Sequence, residues 1–281
     1  MKTYDFIFSL GYACAVSQAL RDLGLQRGSY PFDWVGTASP LMGARMIAGG
    51  FRDWFNREDL KLWDVRFEGG FVARVYKNLR TGFGFSHEFS NADPIETTYD
   101  VVKEKYDRRI ARFMKTLRAA KRILAVYLED PRKPRTPDAD LRAARDMIAA
   151  ACPEAEVDLL CFYEDADCTA AACVASADGV SVVKANYRTY LDGTLMHIAD
   201  RSQIVAYLRE HVTVRDRMSE AEIRALDAEK RRKLREGLGK TRWERWVNKK
   251  LKQWYRDLEV YLIGQKLISG DRPLWFDGDG K

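Results

Sequence analysis

The chain has 281 residues, 46% of them hydrophobic and 31% charged, which is the balance of a soluble globular protein able to bury a core. It contains no run of about 18 apolar residues, which excludes a membrane-spanning helix, and its first residues lack the pattern of a signal peptide. We therefore expect a cytoplasmic protein. Five cysteines without the C-x2-C spacing of zinc sites predict reduced, mostly buried thiols and no metal.

The elements predicted in the first part of the chain alternate between apolar runs, helical spacing and turns. In order they are a strand over 4–9, a helix over 14–23 closed by Gly24, a turn-rich stretch over 29–40, a helix over 41–48, a strand over 71–76 and a glycine-punctuated loop or hairpin over 78–89.

The elements predicted further along the chain alternate between strand and helix. In order they are a helix over 95–120, a strand over 123–128, an exposed loop with three prolines, a helix over 141–151, strands over 157–163 and 180–187, and helix from 202 to 270. This alternation predicts an α/β fold, with a mainly parallel sheet flanked by helices. We expect one α/β domain over residues 1–215 and a helical basic extension over 216–281.

Cys14 follows the first predicted strand at a turn and begins the first predicted helix. Helix N-termini present unpaired N–H groups and the positive end of the dipole, which stabilise a thiolate and can hold an oxyanion. Gly11 allows a tight turn and the close approach of a substrate. A free cysteine is also among the most often buried residue types. The spacing alone leaves two interpretations, a nucleophile and a packing thiol.

Two further polar residues could serve such a thiol. His87 lies in the sequence GFGFSHEF with Glu88 beside it, and imidazole is the side chain that changes protonation near neutral pH, as the base of a cysteine nucleophile must. The simpler interpretation is a solvated loop histidine. Asp33 lies between Phe32 and Trp34, so we expect it to be partly buried and hydrogen-bonded. It either forms a turn or cap, or it orients the histidine or binds substrate.

Three motifs occur in order: Ser9-Leu10-Gly11-x-x-Cys14, Arg27-x-Ser29-Tyr30-Pro31-Phe32-Asp33-Trp34 and His87-Glu88-Phe89. Together they resemble the family labelled putative papain-like cysteine peptidases, a bacterial family of largely unknown function, with a likeness over residues 4–190. The resemblance implies a thiol nucleophile at Cys14 and an imidazole base at His87, and it leaves the third polar residue open. Our candidate for that residue is Asp33, as the group that orients the histidine or as a substrate contact. The remaining motif residues are candidates for substrate binding: Ser9, Gly11, Arg27, Ser29, Trp34 and Glu88.

One departure from the family pattern lies around the candidate base. The chain has Phe85-Ser86-His87-Glu88 where we expect Phe-Pro-His-Asp. The histidine is retained, whereas the rigidity of the proline is lost and the acid is one carbon longer. We therefore expect a different geometry of this segment around the same base.

The motifs favour a cysteine-dependent acyl-transfer enzyme, a peptidase- or amidase-type hydrolase that needs no cofactor. Its substrate would be a small molecule, a glycan or a peptide, for instance a cell-envelope glycan precursor. A strand followed by Gly-x-x-Cys is also similar to bacterial capsular-polysaccharide acetyltransferases, which would imply acyl-coenzyme A as donor. A third interpretation is a non-catalytic binding or accessory protein of polysaccharide assembly, in which Cys14 and His87 only shape a pocket.

The basic charge is concentrated near the C-terminal end. Residues 229–256 contain twelve Lys or Arg and three Glu, a local charge of +9 within a total of +6. An apolar stripe at helical spacing includes Trp243, Trp246 and Trp254. Such a helix suits either an anionic membrane surface, here the inner face of the inner membrane, or docking on its own domain or a partner. No nucleic-acid-binding motif accompanies it, and the oligomeric state does not follow from the sequence.

Overall fold

The computed structural model describes residues 1–12, 14–36, 39–68, 71–90, 94–187, 189–192, 195–198 and 200–236, together with Lys250, Trp254 and Leu258. The α-helices within these residues are α1 (Ala15–Asp22), α2 (Pro40–Ala48), α3 (Ile95–Ala119), α4 (Asp138–Ala151), α5 (Ser202–His211) and α6 (Glu220–Glu236). The strands are β1 (Lys2–Tyr4), β2 (Phe6–Ser9), β3 (Val35–Gly36), β4 (Leu60–Glu68), β5 (Phe71–Asn78), β6 (Gly84–Ser90), β7 (Arg122–Leu128), β8 (Glu156–Glu164), β9 (Ala172–Ala177), β10 (Val180–Ala185), β11 (Thr189–Asp192), β12 (Leu195–Ile198) and β13 (Val212–Val214).

The central sheet has the strand order β2-β7-β8-β10-β9. The first four strands are parallel, and β9 pairs antiparallel with β10 at the edge. Strands β2 and β7 are buried almost throughout, as expected of parallel strands covered on both faces. The predicted α/β class with a mainly parallel sheet is therefore confirmed for this part of the chain.

Helices cover both faces of the central sheet. Phe6 and Phe8 point to one face, where α3, α4 and a group of aromatic residues form one core. Ile7 points to the other face, where the apolar sides of α1 and α5 form a second core. This alternation follows from the two-residue period of a strand. It fixes α1, and with it Cys14, on the α5 side of the sheet.

A second, four-stranded antiparallel sheet of order β3-β6-β5-β4 lies in the chain between α1 and α3. Sequence spacing predicted β5 and left loop or hairpin open for 78–89, and the structure has the hairpin β5–β6. Strand β4 was not predicted. The second sheet packs against α3 and β2 through a core of fully buried rings. Among these rings are Phe32, Trp54, Phe83 and Phe113.

The prediction of continuous helix from residue 202 to 270 is wrong between α5 and α6, over residues 212–219. There the run Val-Thr-Val forms β13, which pairs in parallel with β1, because β-branched residues favour a strand that can be paired. Helix α6 follows and accords with the expectation of helix. Beyond it, Lys250, Trp254 and Leu258 are helical, whereas Trp243 and Trp246 lie outside the described residues. No helix in the part of the chain that the structure describes is long and apolar enough to cross a membrane.

The segment after β13 docks on the end of α1. Gly24, with φ +69°, ends that helix as predicted, and its carbonyl accepts a 3.0 Å hydrogen bond from the Met218 amide. Arg217 Nε donates to the Leu23 carbonyl at 2.9 Å. A Cβ atom on residue 24 would lie 2.6 Å from the Met218 carbonyl oxygen, closer than real Cβ contacts. Glycine is required here both by the backbone conformation and by this close approach.

Gly24→Ala tests this docking against a matched control, Gly50→Ala. Gly50 has φ +64°, but a Cβ atom there would meet nothing within 4 Å, so its replacement by alanine adds only the left-handed strain of roughly 1 kcal/mol. Gly24→Ala adds the overlap with Met218, about 1–3 kcal/mol more. Urea unfolding of both variants measures the difference. Equal losses of stability would contradict the contact between residues 24 and 218.

Candidate active site

The turn that leads to Cys14 lies at the carboxyl end of β2. Ser9 Oγ is buried and accepts the Gly11 amide at 3.2 Å. Gly11 has φ +99°, which favours glycine, and the Gly11–Tyr12 peptide bond is cis. The turn remains paired with the end of β7, since Leu128 N donates to the Gly11 carbonyl at 3.1 Å. Ser9 and Gly11 therefore build the turn itself, and their predicted part in substrate binding remains a prediction.

Cys14 is the residue that precedes α1, and it is partly exposed. Its side chain makes no capping hydrogen bond to the helix. Gln18, one turn further along, donates from Nε2 to the Cys14 sulfur at 3.5 Å. The sulfur thus lies at a helix N-terminus, where the dipole favours negative charge.

The other thiols differ from Cys14 in position and exposure. Cys152, Cys161 and Cys168 are buried, and burial raises the pKa of the Cys152 and Cys161 thiols. Cys173 on β9 is exposed, so the expectation of burial is wrong for it. Strand β9 lies at the sheet edge, where one side is open. Cys14 is thus the partly accessible thiol at the carboxyl edge of the parallel strands.

Asp33 is fully buried at the end of the 3₁₀ turn Pro31–Trp34, more deeply than predicted. Its Oδ2 accepts the Tyr30 amide at 2.8 Å and Gln26 Nε2 at 2.7 Å. Its Oδ1 accepts Ser17 Oγ of α1 at 3.2 Å, and Arg21 of the same helix lies 3.9 Å away. Burial raises the pKa of the Asp33 carboxyl, against the opposing effect of these donors. The turn-capping interpretation is correct, and Asp33 additionally fixes α1.

His87 lies on strand β6 and is exposed. Its ring meets the Trp34 indole edge-on, with the centroids 6.2 Å apart. The Arg21 guanidinium lies 4.6 Å from the centre of the same indole. Trp34 is therefore packed between a residue of α1 and the candidate base, and a role in binding substrate remains a prediction for it.

Glu88 contacts helix α3. Its side chain is buried and is paired with Lys105, Tyr106 and Arg109 of α3. Successive residues of a strand point to opposite faces, so Glu88 points away from the face that carries His87. These contacts favour a role in anchoring β6 to α3 over the predicted role in substrate binding.

Two further motif residues have structural partners. Arg27 pairs with Asp216 and Glu222 at the start of the C-terminal segment. The Ser29 carbonyl accepts Arg112 of α3 at 2.5 Å. Substrate binding by either residue remains a prediction that these contacts do not favour.

Residues outside the motifs also contact the turn over residues 9–12 that leads to Cys14. After β7, Asp130 holds the Arg132 guanidinium at 2.8 and 2.9 Å, and Arg132 Nη2 donates to Tyr12 Oη at 3.3 Å. The neighbouring Glu129 is buried and accepts the Thr136 amide at 2.9 Å, which closes this loop. The sequence does carry a signal for this contact, because the acids Glu129 and Asp130 directly follow a buried strand. The carboxyl ends of parallel strands lie at one edge of a sheet, so these acids could have been predicted to lie near the turn that follows β2.

Within the described residues, no three or more His, Cys, Asp or Glu side chains lie close enough together to hold a metal ion.

Comparison with known proteins supports the motifs. Residues 5–136 match the family described as "Putative papain-like cysteine peptidase (DUF1796)". The family resemblance is confirmed over this segment. The match ends in the loop after β7, whereas we expected the likeness to continue to residue 190.

A curated relative comes from a virus. The "Uncharacterized protein R408" of Acanthamoeba polyphaga mimivirus is 30% identical over 148 residues, which are 48% of this chain and 65% of that protein. The match therefore spans just under two thirds of the relative. No solved structure matches the chain significantly.

Asp33→Asn and Asp33→Ala separate the hydrogen bonds of this carboxylate from its charge. The asparagine can still accept from Tyr30 and Gln26. The alanine removes the acceptor of both donors, leaves Gln26 Nε2 with the Gly28 carbonyl as its other partner, and costs on the order of 3 kcal/mol. Because the folded-state pKa of Asp33 is raised, its contribution to stability is greatest at acid pH and falls as the pH rises through that pKa.

Urea unfolding at pH 4 and pH 7 checks both expectations. Asp33→Asn should gain stability relative to the wild type between the two pH values, because it lacks the buried carboxylate charge. A relative loss over the same interval would show that the donors around Asp33 outweigh its burial.

Proposed function

We propose that the protein is a cysteine-dependent acyl-transfer enzyme of hydrolase type, with Cys14 as nucleophile and His87 as base. The observation that carries the proposal is the position of Cys14: a partly exposed thiol at the start of α1 and at the carboxyl edge of parallel strands. Ligands bind at this edge in open α/β sheets. The match of residues 5–136 to the family described as "Putative papain-like cysteine peptidase" supports the same assignment.

The proposed reaction has two steps. The Cys14 thiolate attacks the acyl carbon, a C–S bond forms, and the leaving group departs with a proton from the His87 imidazolium. A water molecule then attacks the thioester while His87 accepts its proton, and the C–S bond breaks to release the acid and regenerate the Cys14 thiolate beside the His87 imidazolium. Backbone N–H groups at the start of α1 would stabilise the oxyanion in both steps.

Asp33 would act in this reaction by positioning. It ties α1, which begins beside the nucleophile, to the 3₁₀ turn that carries Trp34. Trp34 in turn contacts the His87 ring. The substrate would be an acyl compound of a glycan, peptide or small molecule, with a cell-envelope glycan precursor as the example to test. Membrane contact through the C-terminal tryptophans stays a prediction. Trp254 is exposed, as such a contact requires.

Alkylation by iodoacetamide as a function of pH tests the nucleophile. In a Cys173→Ser background, Cys14 is the cysteine with partial exposure, and the other three are buried. We expect Cys14 to be labelled with a midpoint below about pH 8, that is, below that of free cysteine in the same buffer. Peptide mass analysis identifies the labelled site, and Cys14→Ala is the matched control. A Cys14 that labels no more readily than the buried thiols would contradict the proposal.

Acetylation of Cys14 by p-nitrophenyl acetate tests the base. In the wild type we expect the thioester to form and hydrolyse, while in His87→Gln it should persist, with deacylation slower by about 100-fold or more. Intact-mass measurement over time follows the adduct. Equal lifetimes in the two proteins would remove His87 from the mechanism. The same measurement with acetyl-coenzyme A distinguishes the acyltransferase alternative, since an adduct dependent on Cys14 would then form from that donor.

A further inference from the structure

The Cys14 sulfur is joined to a distant part of the chain by two successive hydrogen bonds. Gln18 Nε2 donates to the sulfur at 3.5 Å, and Arg201 Nη1 donates to Gln18 Oε1 at 2.6 Å. Arg201 lies directly before α5, 183 residues from Gln18 and outside the segment that matches the peptidase family. A residue that no family motif includes is therefore connected to the candidate nucleophile.

The arginine determines which end of the Gln18 amide faces the sulfur. A guanidinium has donors and no acceptor, so it can bind only the oxygen of the amide. The NH2 group of Gln18 must then point the other way, toward Cys14. A donor aimed at a group that ionises to an anion favours the ionised form, and the positive charge of Arg201 polarises the amide in the same direction.

Arg201 is itself held in place. Its Nη2 pairs with Asp22 of α1 at 3.1 Å. The turn before α5 is ordered by the Ser202 amide, which donates to Asp200 at 2.7 Å, and α5 buries its apolar side against α1. The guanidinium thus contacts two residues of α1 through different nitrogens, Gln18 through Nη1 and Asp22 through Nη2.

We propose that Arg201 is a positioning residue of the active site, which acts through Gln18 to stabilise the Cys14 thiolate; this inference rests on the proposed function of Cys14. Each charged group near the thiol then favours or disfavours its ionised form. Arg201 favours the thiolate, and Asp22 partly offsets Arg201. His87 would be the proton acceptor, and its ring is linked to α1 through Trp34.

The test is the pH dependence of Cys14 alkylation by iodoacetamide in the Cys173→Ser background, in the full-length chain. Arg201→Gln and Gln18→Leu should slow alkylation at pH 7 by about threefold to tenfold, through a rise of the midpoint of about half to one pH unit. Gln18→Glu should raise the midpoint most, because it replaces the donor by a negative charge beside the sulfur. Arg201→Lys should restore part of the wild-type rate.

Asp22→Asn is the matched control, because it removes the other partner of Arg201 and leaves the contact with Gln18. We expect its midpoint to equal that of the wild type or to lie below it. If Arg201 merely docked α5 on α1, Arg201→Gln and Asp22→Asn would shift the midpoint in the same direction, which would overturn the proposal. Urea unfolding of each variant confirms that alkylation is measured on folded protein.

The outcomes for the two proposals are distinct. A wild-type midpoint equal to that of free cysteine would refute Cys14 as an activated nucleophile. A lowered wild-type midpoint that stays unchanged in Arg201→Gln, Gln18→Leu and Gln18→Glu would refute the role of Arg201 and leave the proposed function standing.

Discussion

The arrangement of the candidate site depends on one buried carboxylate, that of Asp33. A buried charge is costly unless it is hydrogen-bonded and paired, and Asp33 accepts three hydrogen bonds and lies near Arg21. These partners come from α1, from the loop after it and from the 3₁₀ turn. The helix that begins next to Cys14 and the turn that carries Trp34 therefore cannot move independently. Trp34 also contacts His87. Asp33 therefore connects α1, which begins after Cys14, to strand β6, which carries His87.

The parallel sheet supplies the second constraint, because it brings distant stretches of chain to one edge. The Cys14 turn follows β2, the loop with Asp130 and Arg132 follows β7, and Arg201 precedes α5, which packs on α1. The first two stretches lie within residues 5–136, the segment that matches the family model, and the third does not. A part of the chain beyond the family match thus contacts α1 next to the candidate site.

Periodic patterns predicted the elements that are long or buried. The central strands, α3 and the glycine that ends α1 could be predicted because each depends on local spacing or on one backbone conformation. The burial of Asp33 followed from its aromatic neighbours. The environment of Glu88 could not be predicted. Its segment was assigned only to a loop or hairpin, so it was not known which face of a strand Glu88 lies on or that this face packs against α3. The contact between Gln18 and Arg201 spans 183 residues and has no local signal.

Three arginine–aspartate pairs lie around α1 and the turn over residues 9–12 that leads to Cys14, and the three have the same arrangement. Arg201 pairs with Asp22 and contacts Gln18. Arg21 lies near Asp33 and over the Trp34 indole. Arg132 pairs with Asp130 and contacts Tyr12. In each pair the acid offsets the charge of the arginine, while the guanidinium still contacts a neutral group of the site. Because arginine stays protonated at all relevant pH values, these donors are permanent. The pairs add little net charge, so each guanidinium acts mainly on the neutral group that it contacts, which is Gln18, Trp34 or Tyr12.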